Sequence, residues 1–225
     1  MFKINVLQMC VALCAFQASA SMALTVWDNG GPTVVLADQG GSNMSEFQQA
    51  EDFTLSAASN LTSMTFWSLE ASSADYSGSI FYQVTNNLAG APGATVFGSG
   101  TATTTRTAAG TAAGLTQYKN DFSLAVNNLA AGTYWITLHN GALSSPGFTD
   151  FYWSFADLNP ANTPTFRGKE LSLPPMVATP WSTNDREHAF LIGGESVPEV
   201  PEPETWLLLG VGLTALALRS RKGKS

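Results

Sequence analysis

Apolar residues recur at every second position along much of this chain. Phe122, Leu124 and Val126 alternate with polar neighbours, as do Ile80, Tyr82 and Val84, and Phe151, Trp153 and Phe155. Tyr134, Ile136 and Leu138 form a fourth set, set against Trp135, Thr137 and His139. A period of two puts each set on one side of a strand. Met64, Phe66, Trp67 and Leu69 read instead as a strand buried on both faces, and residues 189–192 as another. Gly, Asn and Pro punctuate these runs at 28–32, 40–43, 91–93, 131–132 and 140–141, where turns are expected. Long amphipathic helical patterns are lacking. Many short strands separated by such turns predict an all-β fold, an antiparallel β-sandwich over residues 24–194. Two stretches depart from the pattern. Residues 98–114 are rich in Thr, Ala and Gly around a lone Arg106, which predicts an edge strand flanked by a mobile loop. Residues 157–184 contain Pro160, Pro164, Pro174, Pro175 and Pro180 and predict a long lid, binding loop or partly disordered segment.

The two ends follow different rules. Lys3 precedes an apolar stretch from Val6 to Phe16, and Ala18-Ser19-Ala20 fits a small-residue cleavage site, with Ser21-Met22-Ala23 close behind. That order predicts a secretory signal peptide over 1–23, removed by signal peptidase. Both cysteines, Cys10 and Cys14, fall inside it. Leu13 is too large for the position before an acylated cysteine, which argues against a lipoprotein. The exported domain is therefore expected to stand on its core without disulfides, as a unit of this size can.

At the other end, Pro198, Pro201 and Pro203 stiffen an extended linker over 195–205. The apolar run from Trp206 to Leu218 follows, then Arg219, Arg221, Lys222 and Lys224. Thirteen residues as a helix span about 20 Å, short of the ~30 Å of a bilayer core. Such a helix crosses only transiently, with its basic flank held in the cytoplasm as the stop signal. A core helix would not be apolar all round and end in four cations. Pro201-Glu202-Pro203, then Thr205-Trp206-Leu207-Leu208-Leu209-Gly210 and the terminal cations, closely resemble the PEP-CTERM sorting signal of Gram-negative bacteria. The resemblance covers residues 197–225. It implies recognition by an exosortase, a membrane-embedded cysteine transpeptidase-like enzyme, and processing near the Pro-Glu-Pro motif. The product would then reach the cell surface or extracellular matrix. Three patches, 49–55, 129–136 and 188–194, resemble secreted bacterial jelly-roll-like domains, a resemblance that implies no activity.

Composition narrows the partners. The formal charge is −7. Lys3 adds one positive charge and residues 197–225 a net one, which leaves −9 on the stretch between. So acidic a domain repels phosphate backbones, and nucleic acid is not an expected partner. His139 and His188, the only histidines, make a poor zinc set without a third ligand. No Gly-x-Ser-x-Gly elbow is present. Glu51, Asp52, Glu70 and Glu170 are available as glycosidase carboxylates, but their spacing sets no pair at catalytic separation. Asp28, Asp38 and Asp52, near turns, are candidate Ca²⁺ ligands, without the spacing of a dedicated calcium loop. No other cofactor is expected. Trp181, in an irregular segment between Pro180 and Ser182, is the leading candidate for stacking on a sugar ring, with Trp153 and Tyr152 beside it. The expectation is thus a non-enzymatic surface or matrix protein with a structural or adhesive role associated with exopolysaccharide. The alternatives are a carbohydrate-binding module and, third, a secreted hydrolase.

Overall fold

The computed structural model describes residues 24–144, 147–158, 160–161, 164–172, 180–184 and 186–197. The expected signal peptide (1–23), the Pro201-Glu202-Pro203 motif, the apolar run 206–218 and the terminal cations lie outside the described residues. Among the described residues there are thirteen strands: β1 (Leu24–Asp28), β2 (Gly41–Asn43), β3 (Phe47–Leu55), β4 (Ser59–Glu70), β5 (Ile80–Leu88), β6 (Ala91–Ala102), β7 (Thr105–Ala112), β8 (Leu115–Leu129), β9 (Gly132–Asn140), β10 (Phe151–Ser154), β11 (Lys169–Ser172), β12 (Ser182–Thr183) and β13 (Phe190–Ser196). They form two antiparallel sheets. The first joins β1, β13, β4, β10 and β2, and extends from β4 through β8 to β7; the second runs β12-β11-β3-β9-β5-β6.

The period-two sets do what alternation requires. Phe122, Leu124 and Val126 on β8 meet Ile80, Tyr82 and Val84 on β5 and Ile136 and Leu138 on β9 in one buried core between the sheets. Phe66 packs edge-on against Phe122 and Trp153. The set of Phe151, Trp153 and Phe155 ends early, because Phe155 lies past the end of β10 and is only half buried. β9 departs from simple alternation, being buried on both faces from Tyr134 to Asn140. On its outer face Trp135 is covered by Phe166, stacked at 6.0 Å, so part of the proline-rich segment is a packed cover over the second sheet.

Three expectations are corrected. Residues 98–114 contain the expected edge strand but not the flanking loop: β6 and β7 run through them as long edge strands, and the chain changes sheets at Thr103-Thr104. Residues 41–43 form β2 rather than a turn, and residues 91–93 open β6. The β5–β6 turn falls earlier, at Ala89-Gly90, and the β7–β8 turn at Ala113-Gly114. In each both residues have positive φ, 53° and 80° in the first, 53° and 79° in the second. Two-residue hairpins favour this primed geometry because it matches strand twist, but alanine is a poor choice for its first position. Ala113→Asn is therefore expected to stabilise the fold by roughly 0.5 kcal/mol, because the short polar side chain of asparagine hydrogen-bonds locally and tolerates the left-handed region better than alanine. A melting temperature that falls would contradict that assignment of strain.

Candidate functional site

The phase of β3 decides where its polar residues go. Phe53 and Leu55 face the core, so Glu51, at the same parity, enters the space between the sheets, while Asp52 faces outward. Glu51 is fully buried. It meets His188, just ahead of β13 in the opposite sheet, so the contact bridges the sandwich. Glu51 Oε1 accepts a hydrogen bond from the His188 backbone N–H at 2.9 Å and a second from its ring Nδ1. Asn184 Nδ2 lies 3.4 Å from His188 Nε2 and donates to it, which fixes a neutral imidazole with its proton on Nδ1. Burial holds the His188 pKa down, to about 3. Trp153 stacks on this ring at 4.9 Å.

Glu187 completes the cluster. Its side chain interacts with that of Glu51, and its carboxylate stands 3.7 Å from Arg167 Nη1. Among the described residues, neither Glu51 Oε2 nor Glu187 Oε2 receives an N–H or O–H from any other group. Two adjacent acceptors without a donor resolve by holding one proton between them, because two neighbouring buried carboxylates cannot both ionise. Burial, followed by the charge of Glu51, raises the Glu187 pKa to about 9, and burial raises that of Glu51 well above its ordinary value. Gly168 crosses directly over the cluster. A Cβ there would come within 2.7 Å of both Glu51 Oε1 and the Arg186 carbonyl oxygen, so only glycine lets the cover close. On the outer face, Asp52 accepts backbone hydrogen bonds from Thr165 (2.9 Å) and Phe166 (3.2 Å), tying the same cover to β3.

A carboxyl pair sharing a proton is acid–base machinery when water and substrate reach it. Here Glu51 is sealed, and only Glu187 borders a cleft, together with Asp38, Phe155, Arg167 and Arg186. That cleft holds about 200 Å³, less than the ~300 Å³ at the low end of small-molecule sites. The arrangement staples the two sheets and the cover.

A second polar network closes another part of the interior. Glu70, fully buried at the end of β4, accepts from Ser68 Oγ at 2.7 Å and forms an ion pair with Arg106 of β7. The Arg106 guanidinium lies between two rings, 4.5 Å from the Tyr76 centroid and 4.2 Å from that of Tyr118. The Glu70 pKa is raised by burial, against which Ser68 and Arg106 act.

The residues nominated from sequence are not brought together. Trp153 is fully buried and donates its indole N–H to the Ala189 carbonyl at 2.9 Å, so it presents no face to a sugar. Tyr152 is half buried, and its hydroxyl donates to Asp150 at 2.7 Å; that bond, more than burial, raises its pKa to about 12. Trp181 is half buried ahead of β12. The proposed calcium set also comes apart. Asp28 closes a local turn by accepting from Gly30 N–H, Asp38 pairs with Arg186 at 3.3 Å, and Asp52 holds the cover. Among the described residues no group of three or more His, Cys, Asp or Glu side chains could hold a metal ion. What the sequence reading missed is Glu187, although a carboxylate at core phase on β3 called for a buried partner.

The fold is thus a two-sheet antiparallel β-sandwich with internally engaged ionisable groups. Residues 199–222 match the PEP-CTERM protein-sorting motif, in agreement with the sequence reading. The motif marks the chain for export and exosortase processing, and for a surface or extracellular location. A comparison with curated proteins finds no match for the chain.

Proposed function

We propose that the exported domain is a non-enzymatic structural or adhesive component of the extracellular matrix, held in contact with exopolysaccharide. The observation that carries this reading is the sorting match at 199–222, which directs the domain outside the cell. The interior chemistry supports it, since Glu51, Glu70 and His188 are all fully buried and engaged with neighbours. A domain stapled in this way suits a passive load. The test is co-sedimentation of the exported protein with polysaccharide matrix prepared from the producing cells, with reducing sugars measured alongside. The reading predicts retention without release of sugar. Protein left wholly in the supernatant would contradict the adhesive role, and release of sugar abolished by Glu187→Gln would establish a hydrolase instead.

A further inference from the structure

Among the described residues, five tryptophans divide sharply. Trp27, Trp135 and Trp153 are buried, while Trp67 and Trp181 are half buried. Trp67 lies between buried Phe66 and Ser68 on β4, so its side chain projects from the outer face of the first sheet. It stands in a groove of about 380 Å³, bounded on one side by the loop carrying Val34 and Gln39 and on the other by β7 at Ala109 and Thr111. Gln117 of β8 forms part of the lining. This volume falls within the range of small-molecule sites, unlike that of the cleft above Glu187.

The lining chemistry is selective. No charged side chain borders the groove. Lys119, the cross-strand neighbour of Trp67 on β8, is neutralised by Asp121 at 3.0 Å. The polar groups are two amides and hydroxyls, already oriented. Gln39 accepts from Ala113 N–H through Oε1, which leaves its NH₂ as a donor. Gln117 donates through Nε2 to Ser154 Oγ at 3.2 Å, which leaves its carbonyl as an acceptor. Val34, 81% exposed, adds an apolar rim. An aromatic face beside one fixed donor and one fixed acceptor, without charge, matches a ligand with an apolar C–H face and hydroxyl edges.

We infer that the Trp67 groove binds an uncharged sugar ring of an extracellular polysaccharide, with Trp67 as the stacking platform and Gln39 and Gln117 reading its hydroxyls. The inference rests on the matrix reading above and gives that reading a contact site. It moves sugar recognition from the proline-rich segment at Trp181 to the open face of the first sheet.

The test is titration of the exported protein, followed by calorimetry and tryptophan fluorescence, with neutral gluco-, galacto- and manno-oligosaccharides and with polygalacturonate as the charged comparison. At least one neutral oligosaccharide is expected to bind and perturb the fluorescence. Trp67→Ala is expected to weaken that binding roughly tenfold, the loss of one stacked ring. Trp67→Phe should keep most of it. Ala109→Glu, an exposed position that leaves the fold intact, should block the groove and weaken binding to a similar degree. Trp181→Ala should leave the affinity unchanged. Binding untouched by both Trp67→Ala and Ala109→Glu, equal binding of polygalacturonate, or no neutral binding would overturn the inference. Matrix co-sedimentation separates the two claims: wild-type retention that survives Trp67→Ala sinks this site alone, whereas no wild-type retention sinks the matrix reading.

Discussion

Raising the pH from 7 to 10 is expected to lower the melting temperature of the exported protein, and Glu187→Gln to remove most of that loss. In the folded chain Glu187 keeps its proton up to a pKa of about 9, against an ordinary value of 4.5. The folded state therefore holds a proton that the unfolded chain releases, and stability falls as pH rises through that window. The contribution is complete below about 4.5 and gone above about 9. Between pH 7 and 9 the loss is on the order of 2–3 kcal/mol. Deprotonation leaves two carboxylates facing each other in the interior, with Arg167 3.7 Å from one of them. A glutamine at 187 still donates to Glu51 Oε2 but cannot ionise. His188 supplies the opposite limb. Its depressed pKa of about 3 gives stability that is present above 6.5 and lost as pH falls toward 3. Thermal melts of both proteins from pH 5 to 10 check the account. An alkaline slope unchanged in Glu187→Gln would show that the shared proton contributes nothing.

Arg106→Ala is expected to be the most destabilising single substitution within the Thr-, Ala- and Gly-rich stretch 98–114, at about 3–5 kcal/mol. Removing the guanidinium leaves Glu70 charged, fully buried and without its counter-ion, and empties the space between Tyr76 and Tyr118. The cost arises from that stranded charge, so Arg106→Ala combined with Glu70→Gln should recover a good part of it. Denaturant melts of the two single variants and the double variant measure the coupling. Strictly additive losses would mean that the pair is not the source of the effect.

The sheet architecture was legible because alternation is a local property. Ile80, Tyr82 and Val84 need only their own neighbours to declare a buried face, and they lie in the core as expected. Turn positions were less legible, since Ala89-Gly90 and Ala113-Gly114 lack the Asn or Asp that usually signals a primed hairpin. The Thr, Ala and Gly of β6 and β7 carry little strand signal, because edge strands bury few side chains that would give a period. The acid cluster was half visible. Glu51 sits in phase with Phe53 and Leu55, but its partners Glu187 and His188 come from the far end of the chain. Trp153 belonged to an apolar alternating set, and burial rather than sugar stacking followed from that phase. Trp67 was read as buried on both faces. The first sheet leaves its outer side open there, which depends on how β7 and the 32–39 loop fall and not on β4 itself.

The sorting signal stands apart, because order and composition carry it without any tertiary contact, and residues 199–222 match the motif directly. Its consequence is covalent and can be weighed. Intact-mass analysis of the protein recovered from outside the producing cells tests the central claim most directly. The account predicts a product that begins near Ser21 or Leu24 and ends close to Pro201-Glu202-Pro203, without the apolar run or the cations that follow. A secreted product that retains Lys222 and Lys224 would contradict it.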